Sequence, residues 1–90
     1  MTWNYRVICR TVPAGPGELF GIHEVYYDSA GRIEYWTEDP CEPFGESLAE
    51  LHADMERMLA ALDKPVLRES ELLLELSGRD ATLQSRRGAD

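Results

Sequence analysis

"FGESLAELHADMERMLAAL", residues 44–62, follows three strand-like segments and decides what they can pack against. Ser47, with Glu50 three residues on, is a capping-box start. The Ser47 side chain accepts from the Glu50 backbone N–H, and the Glu50 carboxylate reaches back to the Ser47 N–H. Leu48, Leu51, Met55, Leu59 and Leu62 recur at helical spacing, which predicts an amphipathic helix with that stripe turned inward. Glu46, Glu50, Asp54, Glu56 and Arg57 fall on the expected outer face, where a solvated acidic surface accounts for them. "DKP" (63–65) closes the helix, because Pro65 disfavours helical geometry at Lys64.

Upstream, "WNYRVICRTV" (3–12) is aromatic and β-branched, with Trp3, Tyr5, Val7 and Cys9 on one side, which is strand character. "PAGPG" (13–17) is a loop, since its prolines and glycines cannot continue a ladder. "ELFGIHEVYYD" (18–28) is a second strand, with Leu19, His23, Val25 and Tyr27 on one face and Phe20, Ile22 and Tyr26 on the other. "DSAG" (28–31) turns the chain, and Gly31 supplies positive φ for a hairpin. "RIEYWTE" (32–38) is the third strand, with Ile33 and Tyr35 opposite Trp36, and "DPCEPFG" (39–45) ends the sheet.

Downstream, "PVL" (65–67) allows a short edge strand. "RESELLLELSG" (68–78) has helical residue types, with Gly78 as its stop. The remainder, "RDATLQSRRGAD", has little to bury and reads as a mobile tail. The expected architecture is α+β: a three-stranded antiparallel sheet in β-β-β-α order, a possible short fourth strand, one main helix on one face and a C-terminal helical segment. Residues 1–77 form one domain and 78–90 a flexible tail. The strands carry apolar residues on both faces, and one helix covers only one. The second face is left either to a two-fold partner, making a homodimer, or to the segment around Leu72–Leu76.

The charge is −8 and unevenly placed: residues 1–76 hold 6 basic and 15 acidic side chains, or −9, and residues 77–90 hold 3 and 2, or +1. Such a body repels phosphate backbones, and Arg79, Arg86 and Arg87 do not make a nucleic-acid patch. Such acidity speaks to solubility, as a solvated acidic surface, or to preference for a basic protein partner, rather than to fold. No run of about 18 apolar residues exists to span a membrane. "MTWNYRVICR" lacks the layout of a secretion signal, so a cytoplasmic protein is expected. Cys9 and Cys41 fit reduced thiols there.

Few residues invite chemistry. His23 and Glu24 are adjacent on a strand and point to opposite faces, which is poor spacing for joint ligation. Glu38, Asp39 and Glu42, with Asp28, could converge at one sheet end as an oxygen-ligand site, and Asp28, Glu38, Asp39 and His23 are the basis of a rival reading as a small metal-dependent enzyme or cation-binding protein. His52 has no His or Cys at matching helical spacing, and a surface histidine accounts for it. Cys9 sits on the side expected to be buried, where a thiol is inert packing. Cys41, between two prolines, has no histidine near in sequence. "PAGPG" is not followed by GKS, GxGxxG or a helix, so it is no phosphate cradle. No catalytic residue, metal ligand set or cofactor is assigned. The densest signal is Trp36-Thr37-Glu38-Asp39-Pro40. As structure it is a strand end entering a turn. As function, its aromatic beside acidic groups suits a guanidinium or basic peptide. The candidate partner-binding residues are Tyr26, Tyr35, Trp36, Glu38 and Asp39.

The β-β-β-α order and the Gly45-Glu46-Ser47-Leu48 helix start resemble the N-terminal domain of HicB-type antitoxins over roughly residues 3–67. That resemblance implies a partial RNase H-like or double-stranded-RNA-binding-like fold without catalytic work, which engages a small basic toxin and self-associates. The family's Tyr-Pro-Asp-Leu-Pro-Gly segment is replaced here by "GIHEVYYDSAGRIEYWTEDP", and a short tail stands where many such antitoxins carry a DNA-binding module. The run "GIHEVYYD…WTEDP…GES…ALDKPVL" also resembles a set of short bacterial proteins without assigned function. The expected function is a non-enzymatic acidic protein-interaction module that binds a small basic protein and forms a homodimer.

Overall fold

The computed structural model describes residues 2–15 and 17–88, with side chains through residue 78. Its order is β1 (Thr2–Val12), β2 (Gly17–Tyr27), β3 (Ile33–Trp36), α1 (Leu48–Ala61), β4 (Leu67–Arg68) and α2 (Glu69–Gly88). The sheet runs β3-β2-β1-β4. β1 and β2 pair antiparallel over their full length, from Thr2 opposite Tyr27 to Val12 opposite Gly17. β3 adds antiparallel to β2, and β4 adds parallel to β1 through Ile8–Leu67 and Cys9–Arg68. The fold is α+β, and the short fourth strand makes the sheet mixed.

The β2–β3 turn follows from Asp28 and Gly31. Gly31 takes φ +81°, where a side chain would be strained. One Asp28 carboxylate oxygen accepts from the backbone N–H groups of Ala30 and Arg32, each at 2.9 Å. The register slips after the turn, with Tyr27 opposite Ile33 but Tyr26 opposite Tyr35. The extra residue moves Ile33 onto the face of Trp36, not onto that of Tyr35 as plain alternation predicts. β3 is also shorter than expected. Residues 37–41 still follow β2, with Thr37 N–H donating to Glu24 at 3.0 Å and Cys41 N–H to Ile22 at 2.8 Å.

Helices cover both faces of the sheet. On one, Ile8, Val25 and Leu72 form the innermost cluster, with Tyr27, Ile33, Trp36 and Leu67 packed against it. Leu72 belongs to α2, so the C-terminal segment covers the face that the sequence left either to it or to a partner. The Arg10 guanidinium pairs with Glu69 at 3.0 Å at the start of α2. α2 continues through Gly78, the expected stop. Of the segment expected to be a mobile tail, 78–90, the backbone is helical to Gly88, and residues 89 and 90 lie outside the described residues.

On the opposite face α1 starts as its sequence predicts, with Ser47 accepting from the Glu50 N–H at 3.1 Å. The reciprocal bond differs by one residue: Glu50 accepts from the Glu46 N–H at 2.8 Å. A Cβ on Gly45 would collide with the backbone of Glu50 and Leu51, so the "GES" entry needs its glycine for close approach. The larger correction is the helix's rotation. The buried residues of α1 are Asp54, Met58 and Ala61, while Leu48, Met55, Leu59 and Leu62 are exposed. Asp54 sets this orientation. Its carboxylate accepts from Tyr5 at 2.6 Å, from the Phe44 N–H at 2.9 Å and from Arg57 at 3.2 Å. Three charge-assisted bonds pull a residue expected on the outer face against β1. They carry the apolar stripe about a quarter-turn off the sheet, at 100° per residue.

Candidate functional site

Register and alternation together build a row of rings across three strands on the α1 face. Trp3 of β1 lies opposite Tyr26 of β2, and Tyr26 lies opposite Tyr35 of β3. Tyr26 and Tyr35 stack with centroids 4.5 Å apart and planes 14° apart. Trp3 leans on Tyr26 at 6.2 Å and meets Tyr5 edge-on at 5.2 Å and 87°. Trp3 and Tyr35, the two ends, remain 45% and 47% exposed, which is much for rings of this size.

Carboxylates hold the row's phenols. Tyr26 donates to Glu24 at 2.7 Å, and that bond pushes the phenol up to about 12. Burial, followed by the bond to Asp54, raises Tyr5 as well. Asp54 is held below the usual carboxylate range, chiefly by the Tyr5 hydroxyl and then by the Phe44 N–H. Both phenols therefore stay neutral donors. Their electron-rich ring faces, with the Glu24 side chain bonded to Tyr26, favour a cation over an anion. A cleft of about 220 Å³, lined by Trp3, Asn4, Tyr5, Arg57, Ala60 and Lys64, runs between the row and α1. Arg57 in that wall is paired with Asp54.

The predicted residues divide between two faces. Tyr26 and Tyr35 lie together in the row. Trp36 points the other way, into the Ile8–Val25–Leu72 core, because it is one step along β3 from Tyr35. Glu38 and Asp39 are exposed on the stretch beyond β3, and the Glu38 carbonyl accepts from the Arg10 guanidinium. Trp3 and Glu24, which lie outside the expected partner-binding set, complete the row. The signal that reaches them is hairpin register, which sets Trp3 beside Tyr26 and Glu24 beside Tyr5.

The cation cluster of the rival reading does not assemble among the described residues. Among the described residues no three His, Cys, Asp or Glu side chains come together as a metal site. Asp28 is engaged by its own turn and by Arg32 at 3.3 Å. His23 is fully buried on the α2 face, with Nδ1 2.8 Å from the Thr37 carbonyl and no partner at Nε2. Cys9 and Cys41 are free thiols. Cys9 is buried on the strand side expected for it, and burial followed by its bond to Glu18 raises its pKa, which keeps it a poor nucleophile. Among the described residues no helix is long and apolar enough to cross a membrane. No family model, curated protein or solved structure matches the chain.

Proposed function

We propose that the chain is a non-enzymatic, acidic protein-interaction module of the HicB antitoxin type, acting in the cytoplasm on a small basic protein. The observation that carries this reading is the half-exposed row Trp3–Tyr26–Tyr35, with the Glu24 carboxylate bonded to Tyr26, on a chain of net charge −8. Long-range attraction brings a basic segment to such a body, and ring faces backed by carboxylates hold a guanidinium once it arrives. The β-β-β-α order and the Gly45-Glu46-Ser47-Leu48 helix entry support the family resemblance. Free thiols at Cys9 and Cys41 fit a reducing compartment.

The test is calorimetric titration with an arginine-rich peptide, in parallel with an acidic peptide of equal length. Binding of the basic peptide alone, weakened by added salt and reduced at least tenfold in Trp3→Ala, supports the reading. Equal heats from both peptides, or full affinity in Trp3→Ala, contradict it.

A further inference from the structure

The stripe of α1 that misses the sheet is large and continuous. Leu48, Met55, Leu59 and Leu62 are 82%, 53%, 65% and 60% exposed, and Leu51 among them is half-buried. On a helical wheel these five lie within about 80°, on the side of α1 away from Arg57, Ala60 and Lys64, which face Trp3. None is charged. The spacing of the five is symmetric about Met55. Leu51 and Leu59 lie four residues to either side, and Leu48 and Leu62 seven.

A sequence symmetric about its own midpoint is self-complementary when reversed. Laid antiparallel on a second α1, Leu48 meets Leu62, Leu51 meets Leu59, and Met55 meets Met55. We infer that this face joins two copies of the chain, α1 against α1, with a two-fold axis beside Met55. The exposed area suffices. Four such side chains on each copy amount to roughly 1,000 Å² in the pair, the order a specific interface requires. A lipid surface is the wrong occupant, because helices that lie on membranes flank their apolar face with Lys and Arg. Here the flank carries the exposed His52–Glu56 pair and then Asp63. The seam lies on the opposite side of α1 from the aromatic row, so pairing leaves both rows open. The inference does not rest on the proposed function.

Light scattering coupled to size exclusion, from low to high micromolar concentration, tests it. The wild-type chain is expected to pass from monomer to dimer. Added salt strengthens the dimer, since two bodies of charge −8 repel while the seam is apolar. That dependence is opposite to the one expected for a basic peptide, so the two proposals fail separately. Met55→Glu sets two carboxylates beside the axis and weakens the dimer more than tenfold. Met55→Lys does the same, and mixing the two variants restores a dimer of one copy of each. Both substitutions are at a half-exposed position, and an unchanged circular dichroism spectrum certifies the fold; Leu59→Glu serves in the same way should either variant fail to fold. A wild-type chain that stays monomeric at high micromolar concentration and high salt overturns the inference. So does a dimer indifferent to Met55→Glu, or the absence of rescue on mixing.

Discussion

The Tyr5 hydroxyl donates to the Asp54 carboxylate across 2.6 Å, joining the first strand to the middle of α1 over 49 residues of chain. This bond, with those from Phe44 and Arg57, decides which side of α1 meets the sheet. It also holds Tyr5 in place against Trp3, the outer end of the aromatic row.

Replacing Asp54 with alanine leaves the Tyr5 hydroxyl and the Phe44 N–H without an acceptor. Thermal unfolding should fall by on the order of 10 °C, and Tyr5→Phe by less than half as much. Asp54→Asn should lie between them, since one amide oxygen cannot serve three donors. A melting temperature unchanged in Asp54→Ala would show that apolar contacts alone orient the helix.

The acid limb of stability carries the same signature. Asp54, Asp28 and Glu18 are all held below their ordinary values: Asp54 first by Tyr5, Asp28 first by the Arg32 backbone N–H, Glu18 first by the Arg68 side chain. A depressed carboxylate contributes stability that is full above its unfolded value, about 4, and is lost as pH falls through the folded one. Tyr26 has the opposite sign. Its contribution is full below about 10 and disappears as pH rises through about 12. Denaturant midpoints should be level between these limits and fall on both sides. Asp54→Asn should flatten the acid limb, and an unaltered limb would contradict the assignment.

Leu72 is buried in α2 against Ile8 and Val25, whereas Leu74, two residues on, is exposed. Leu72→Ala should cost about 3 kcal/mol in urea unfolding and Leu74→Ala less than about 0.5 kcal/mol. Equal effects would mean that α2 does not cover the second face.

Much of this architecture is legible in the residues. The hairpin follows from period-two alternation around "DSAG", and the start of α1 from Ser47 and Glu50. What escapes has local physical causes. A single extra residue in β3 shifts Ile33 to the Trp36 side, and nothing in "RIEYW" marks it. The periodicity of α1 identifies its apolar stripe correctly but not its orientation, because Asp54, a polar residue, takes the inward position. Of the site, Tyr26 and Tyr35 are visible as dense aromatic strand residues. Trp36 is equally dense but packs against the Ile8–Val25–Leu72 cluster on the other face. Only register tells them apart, and register also adds Trp3, 23 residues away from Tyr26 along the chain.

The two tryptophans lie on opposite faces of the sheet and report separately. Nuclear magnetic resonance of the ¹⁵N-labelled chain, titrated with an arginine-rich peptide, observes both indole N–H groups together. The account predicts that the Trp3 indole and the backbone signals of Tyr26 and Tyr35 shift in proportion to added peptide, while the Trp36 indole stays in place. Movement of Trp36 without Trp3, or no movement at either, would contradict it.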